Sequence, residues 1–352
     1  MKKGFILGLM AIMLVIIAAG CGSKSSNSSA STAPSGTSAP AGTAAASDKT
    51  YSVAISQIVE HPSLDATREG FLAALKDAGI EEGKNLKLDY NNAQGDATNN
   101  LSIAQKFAAN KYDLVLGIAT SPAQALVQQV KNSPILFAAV TDPLGAKLVS
   151  NLDKPGGNVT GASDTNPEAV KQLMDFIAAN FPNVKSVGLV INEGEPNAVV
   201  MADNAKNALD AHGIKLVKAA ITNTSEVKQA VDSLTGKVDA LFVTLDNAVV
   251  SGVDVIIDAA NKNHIPFFAS DRDTVEKGAF ATVGFKYYDH GYQAGQMAVD
   301  ILKNGKKPGD MKVSFPDKLD LILNLKAAAA QGITVTDAMK QGVKDPTNDI
   351  IQ

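Results

Sequence analysis

The polar residues best suited to bind something stand in short groups, each just behind an apolar run. Ser56-Gln57 and Glu60-His61-Pro62-Ser63 follow Tyr51–Ile55, and Asn91-Asn92 follow Leu86–Tyr90. Thr120-Ser121-Pro122 follow Leu114–Ile118, and Thr141-Asp142-Pro143 follow Ile135–Val140. A second series gives Asn192-Glu193 with Glu195 and Asn197, then Asp246-Asn247, then Ser270-Asp271-Arg272. A hydroxyl residue ahead of a proline suits a helix N-cap and first turn, whose free N–H groups and dipole attract an anion. Thr120-Ser121-Pro122 could therefore take a ligand carboxylate or a small phosphate, or could simply cap a helix. Thr141-Asp142-Pro143 has the same form and reads equally as a turn. Asp246-Asn247 could neutralise an ammonium or cap a helix. The candidate ligand-binding set is Gln57, His61, Thr120, Ser121, Thr141, Asp142, Asn192, Asn197, Asp246, Asn247 and Asp271.

Covalent and metal chemistry are not written into the chain. His61, His212, His264 and His290 lack metal-ligand spacing. There is no Gly-x-Ser-x-Gly elbow and no phosphate-binding glycine loop. Asp65 and Glu69, one helical turn apart, read as a solvated face. No catalytic residue, no cofactor and no metal are expected, and the protein is not expected to be an enzyme.

The elements that must carry these groups alternate. Apolar strands at 51–55, 86–90, 114–118 and 135–140 are separated by amphipathic stretches such as Leu64–Ala78, with Phe71, Leu72 and Leu75 at helical spacing. The pattern restarts after Gly156-Gly157-Asn158, with strands at 186–191, 216–220, 239–244 and 266–269. Continuous apolar strands between helices predict parallel sheets covered on both faces. Ligands of such sheets bind beyond the C-terminal strand ends, where the polar groups stand. Tyr287-Tyr288 or Phe267-Phe268 could flank an apolar part of a ligand or serve as core or hinge packing. Apolar segments at 311–315 and 319–325 close the pattern.

With 352 residues, 45% hydrophobic and 19% charged, the chain suits two domains with real cores. A net charge of −4 gives no basic excess for phosphate backbones, so nucleic acid is excluded as a partner. Lys2-Lys3, the apolar run Phe5–Ala19 and Ala18-Ala19-Gly20-Cys21 read as a signal peptide over 1–20 ending at a bacterial lipobox. Cys21, the single cysteine, is the expected lipidation site, anchoring the protein outside the cytoplasm on the bacterial cell membrane, the alternative being an ordinary secretory peptide cut near Ala19 with Cys21 a spectator. Residues 21–48 are rich in Ser, Ala and Gly and read as a flexible tether.

Several blocks in order resemble one family: Ala119-Thr-Ser-Pro-Ala-Gln-Ala125, Ala139-Val-Thr-Asp-Pro-Leu-Gly-Ala146 and Lys154-Pro-Gly-Gly-Asn-Val-Thr-Gly161, with His61-Pro-Ser-Leu-Asp65, Asn92-Ala-Gln-Gly-Asp96 and Ala269-Ser-Asp-Arg-Asp273. They are similar to ABC-transporter substrate-binding lipoproteins of the type I periplasmic-binding superfamily, nearest the tryptophan- and aromatic-amino-acid-binding branch. The resemblance implies an α/β fold of two Rossmann-like lobes with parallel sheets joined by hinge crossovers. Lobe one would span 49–162 plus 283–308, and lobe two 163–282 plus 309–345. It implies a small amino-acid ligand between the lobes, with Thr120, Ser121 and Thr141 on its carboxylate and Asp246 on its ammonium. ABC permease subunits are the expected protein partner, and a monomer is the expected unit. A sensory ligand-binding protein with the same lobes, signalling to a membrane receptor, is the alternative. An exported enzyme would need a constellation that the residues do not supply.

Overall fold

The computed structural model describes residues 49–316 and 318–352. The expected leader, the Cys21 lipidation site and most of the tether lie outside the described residues. Asp48–Gln352 form one compact unit. Among the described residues no helix is long and apolar enough to cross a membrane.

The first sheet holds β1 (Tyr51–Gln57), β2 (Leu86–Asn92), β3 (Leu114–Ile118), β4 (Ile135–Val140) and β5 (Val159–Ser163), with α1 (Pro62–Asp77), α2 (Ala97–Ala108) and α3 (Thr120–Gln129) between them. Its order is β2-β1-β3-β4-β5, all parallel. Val53 of β1 stands opposite Leu88 on one side and Leu114 on the other. Apolar clusters lie on both faces, around Phe71 and Leu116 and around Phe107 and Phe137. That is why these strands read as unbroken apolar runs.

A second round follows: α4 (Pro167–Asn180), β6 (Ser186–Asn192), α5 (Pro196–Asp210), β7 (Lys215–Ile221), α6 (Val227–Leu234), β8 (Ala240–Val243), α7 (Asn247–Ser251), α8 (Val253–Asn263), β9 (Phe267–Ala269), α9 (Arg272–Lys277) and β10 (Ala281–Gly284). The chain then returns to the first lobe as α10 (Tyr287–Leu302). It ends in the second as β11 (Asp320–Asn324), α11 (Leu325–Ala330), α12 (Asp337–Gln341), α13 (Pro346–Asp349) and β12 (Ile350–Ile351). The second sheet runs β12-β11-β10-β9-β8-β6-β7, parallel except for the β10–β11 pair. Phe267 and Phe268 are fully buried in its core. Both sheets wind alike, with the order reversing beside β1 and beside β6. Each reversal opens a crevice at the C-terminal strand ends, giving the expected α/β architecture of two Rossmann-like lobes.

Helices α1 and α10 fix the cleft side of the first lobe. A Cβ on Gly70 would lie 2.0 Å from the Tyr288 carbonyl oxygen, and one on Gly291 1.9 Å from that of Thr67. The two backbones therefore touch, side by side and parallel, and both N-termini point at the second lobe.

The crossings differ from expectation in detail. β10 keeps the chain in the second sheet through Gly284, so the return begins later than residue 283. Residues 309–315, expected in the second lobe, lie against the first. Ser314 N donates to Gly161 O (3.0 Å), Ser163 N to Ser314 O (2.9 Å) and Thr160 Oγ1 to Met311 O (2.8 Å). β5 is an edge strand with unpaired backbone groups, and this segment satisfies them. The C-terminal residues beyond 345 add β12 to the second sheet.

Candidate ligand-binding cleft

Strands of both sheets end at the line where the lobes meet, and the residues just after them form two small neighbouring cavities. The first is polar, lined by His61, Ser63 and Thr141 of the first lobe and Asn197, Asn247 and Asp271 of the second. Asp164, in the crossover from β5 to α4, and Tyr287, at the start of α10, complete its wall. The second cavity is mostly apolar, between α4, α5 and the ends of β9 and β10. Leu245 and Asp164 line both. Leu245 also packs on the cores of both lobes.

The lobes are bonded to each other here. His61 Nε2 lies 3.2 Å from Asn247 Oδ1, and Ser63 Oγ donates to Asp271 Oδ1 at 3.0 Å. Glu195 organises the second-lobe side: its carboxylate accepts from Asn247 N (3.1 Å), Asn247 Nδ2 (2.6 Å), Ala248 N (2.9 Å) and Asn197 Nδ2 (3.1 Å). Asn197 Nδ2 also donates to Leu245 O at 2.7 Å. Asp164 accepts from Tyr287 Oη (3.0 Å), Thr141 Oγ1 and Thr165 Oγ1 (both 3.3 Å). Burial outweighs these bonds and pushes its carboxyl up to about 6.

Three buried side-chain atoms of the polar cavity have no partner: His61 Nδ1, Asn197 Oδ1 and Asp271 Oδ2. All three are acceptors. Asn197 uses its amide nitrogen on Glu195 and Leu245 O, leaving the oxygen. Burial lowers the His61 pKa and holds the ring neutral. With Nε2–H directed to Asn247, Nδ1 is a bare lone pair. Orphaned buried acceptors are costly, and a group with three N–H donors would satisfy them together. The cavity also receives the first turn of α1, a 16-residue helix with Pro62 at its start and no side-chain cap. Its leading N–H groups have no intrahelical acceptor and favour a carboxylate.

The profile of ABC transporter substrate-binding proteins matches residues 52–344. The chain belongs to this family. As a substrate-binding protein it binds a solute for an ABC transporter. It is 40% identical over 291 residues to a tyrosine-binding protein of Clostridioides difficile, covering 82% of this chain and 84% of that one. A Streptococcus pneumoniae ABC domain solved with L-Trp is 34% identical, with a TM-score of 0.79 over 86% of this chain and all of its own. That solved chain is matched over its whole length, and the share of this chain it covers is about the size of the compact unit Asp48–Gln352. A ligand-free, open substrate-binding protein of Clostridium difficile is more alike in sequence, 39%, over 86% of this chain and 98% of its own, yet its TM-score is only 0.62. In this substrate-binding protein the lobes meet across the cleft through His61–Asn247 and Ser63–Asp271.

Of the eleven residues proposed from sequence, His61, Thr141, Asn197, Asn247 and Asp271 meet in the polar cavity. The other six do not line it. Asp246 uses both oxygens on backbone, Oδ1 accepting from Val249 N (3.1 Å) and Oδ2 from Asn192 N (2.6 Å). It caps α7 and does not line the cavity, and burial with Glu195 nearby pushes its carboxyl up to about 8. Asn192 closes its own turn onto Gly194 N, as Asp142 does onto Gly145 N. Gln57 is spent on Val59 O, Asp65 and Arg68. Thr120 and Ser121 form the first turn of α3, capped by Ala119 rather than by a hydroxyl, and the helix that reaches the cavity is α1. Asp164, Leu245 and Phe285 were not singled out, since nothing local marks crossover residues or a lone leucine as walls of a cavity.

Proposed function

We propose that this protein is the extracytoplasmic, lipid-anchored binding subunit of an ABC importer and captures an aromatic amino acid between its lobes. The observation that carries the ligand class is the set of three orphaned acceptors, His61 Nδ1, Asn197 Oδ1 and Asp271 Oδ2, beside a free helix N-terminus. The ligand ammonium bonds to these acceptors, with Asp271 supplying the counter-charge. Its carboxylate lies at the first turn of α1. Leu245 stands between the polar cavity and the apolar one, so a side chain leaving the polar cavity passes Leu245 into an apolar wall. As they stand the cavities are too small for an aromatic ring. The ligand enters with the lobes apart, turns Leu245 aside and is enclosed as they close. The relatives that bind tyrosine and L-Trp support the same class.

Permease subunits are the proposed partner, a monomer the proposed unit, and Cys21 the proposed lipid site. No cofactor and no catalysis enter this role. Thermal unfolding of residues 49–352 against the amino acids and a sugar panel tests the ligand class. A saturating aromatic amino acid, at about one hundred times its Kd, raises stability by about 2.7 kcal/mol. A rise with sugars alone would refute the assignment.

A further inference from the structure

The apolar cavity contains one polar group that the proposed function leaves unused. Ser270 follows β9, and its backbone N–H is spent on Val243 O at 2.9 Å. Its Oγ is shielded from water and has no hydrogen-bond partner. Among the described residues lining this cavity it is the only such side-chain atom. Most of the surrounding wall is apolar, with Met201, Leu173, Val283, Phe285 and Leu245, and its other polar residues, Asp164, Thr165 and Asn166, already have partners. A buried hydroxyl in such a wall costs stability unless something bonds to it. A hydroxyl donates and accepts, and a phenol on the ligand answers both needs.

The placement relative to the polar cavity fits. Asp271 is the next residue, in extended backbone with φ −132° and ψ 152°. Successive side chains of an extended chain leave opposite faces. Asp271 lines the polar cavity and Ser270 the apolar one. An amino acid with its ammonium at Asp271 and its ring beyond Leu245 brings the far edge of the ring towards Ser270.

We propose that Ser270 is the ring-reading residue of the cleft: its hydroxyl bonds to a phenol and makes the protein select a tyrosine ring over a plain phenyl ring. This rests on the reading of the site as one for aromatic amino acids. Titration calorimetry of residues 49–352 and of Ser270→Ala, each with L-tyrosine and L-phenylalanine, tests it. The wild type binds tyrosine about ten-fold tighter than phenylalanine, the worth of one buried hydrogen bond. Ser270→Ala brings the two within about two-fold by weakening tyrosine, with phenylalanine unchanged. The variant breaks no side-chain hydrogen bond and removes an unpaired buried hydroxyl, so its melting temperature does not fall, and Ser270→Cys, with a weaker donor, gives an intermediate ratio. Equal binding of both amino acids by the wild type, or an unchanged ratio in Ser270→Ala, overturns the role of Ser270 and leaves the aromatic reading standing. Binding of neither overturns the aromatic reading and this inference with it.

Discussion

Replacing Asp271 by asparagine separates the binding role of this side chain from its structural one. Oδ1 accepts from Ser63 Oγ at 3.0 Å and from Thr274 N at 2.8 Å, the latter as the cap of α9. In Asp271→Asn the amide oxygen keeps both bonds, and asparagine caps helices as well as aspartate does, so stability changes by less than about 0.5 kcal/mol. Oδ2 has no partner, and in the variant an NH2 group takes its place. That group cannot accept from an ammonium and carries no counter-charge. A hydrogen bond to a charged group is worth about 1.5–3 kcal/mol, so Asp271→Asn weakens tyrosine binding about 10- to 150-fold. Calorimetry with tyrosine and with its analogue lacking the amino group completes the assay. The wild type discriminates strongly against the analogue, and Asp271→Asn does so hardly at all. Unchanged tyrosine affinity in Asp271→Asn, or equal loss for tyrosine and the analogue, would refute the ammonium assignment.

Other substitutions should divide in the same way. Asp246→Ala removes the α7 cap and leaves the Asn192 and Val249 N–H groups unpaired, costing about 1–3 kcal/mol in urea unfolding, while the tyrosine Kd of the folded fraction moves less than about two-fold. Gly291→Ala forces α10 off α1 and lowers stability by about 1–3 kcal/mol or more; an unchanged melting temperature would contradict the helix contact. His290 is buried, its Nε2 accepts from Ala139 N at 3.0 Å, and burial lowers its pKa to about 4. The unfolded chain therefore takes up a proton first as pH falls from 6.5 towards 4, and the folded state loses up to roughly 3 kcal/mol over that window. His290→Gln, which keeps an acceptor without titrating, should lose less over the same window, as urea unfolding at pH 7 and pH 4.5 would report.

Much of this was legible in the residues. Apolar runs such as Leu114–Ile118 and Ile135–Val140 announce buried parallel strands because both faces are covered, and groups following strand ends must gather where a parallel sheet binds its ligands. The meeting of His61, Thr141, Asn197, Asn247 and Asp271 at one cavity follows from that rule. The choice between neighbours was not legible. Asp246 and Asn247 are adjacent, and only the capping geometry of α7 turns the first onto backbone and the second towards His61. The hydroxyl-proline signal at Thr120–Pro122 marks a real helix start, but which helix start reaches the cleft depends on how α1 seats on α10, a close approach permitted by glycines 221 positions apart, Gly70 against Tyr288 and Gly291 against Thr67. Asp164 and Leu245 owe their places to crossovers that bring distant segments together. The third crossing was placed early because the open edge of β5, which holds Ser314, is a property of the sheet and not of residues 309–315.

The central claim is that a ligand is held between two lobes that close on it. Cys21 is the only cysteine of the chain and lies outside the body, so spin labels at Thr98→Cys and Gln229→Cys, both exposed, mark one helix in each lobe without background. Pulsed electron-spin distance measurement on residues 49–352, with and without saturating tyrosine, is the direct test. The account predicts a broad distribution that includes long distances in the free protein and a single shorter distance with tyrosine. An identical distribution in both samples, under conditions where calorimetry shows tyrosine bound, would contradict it.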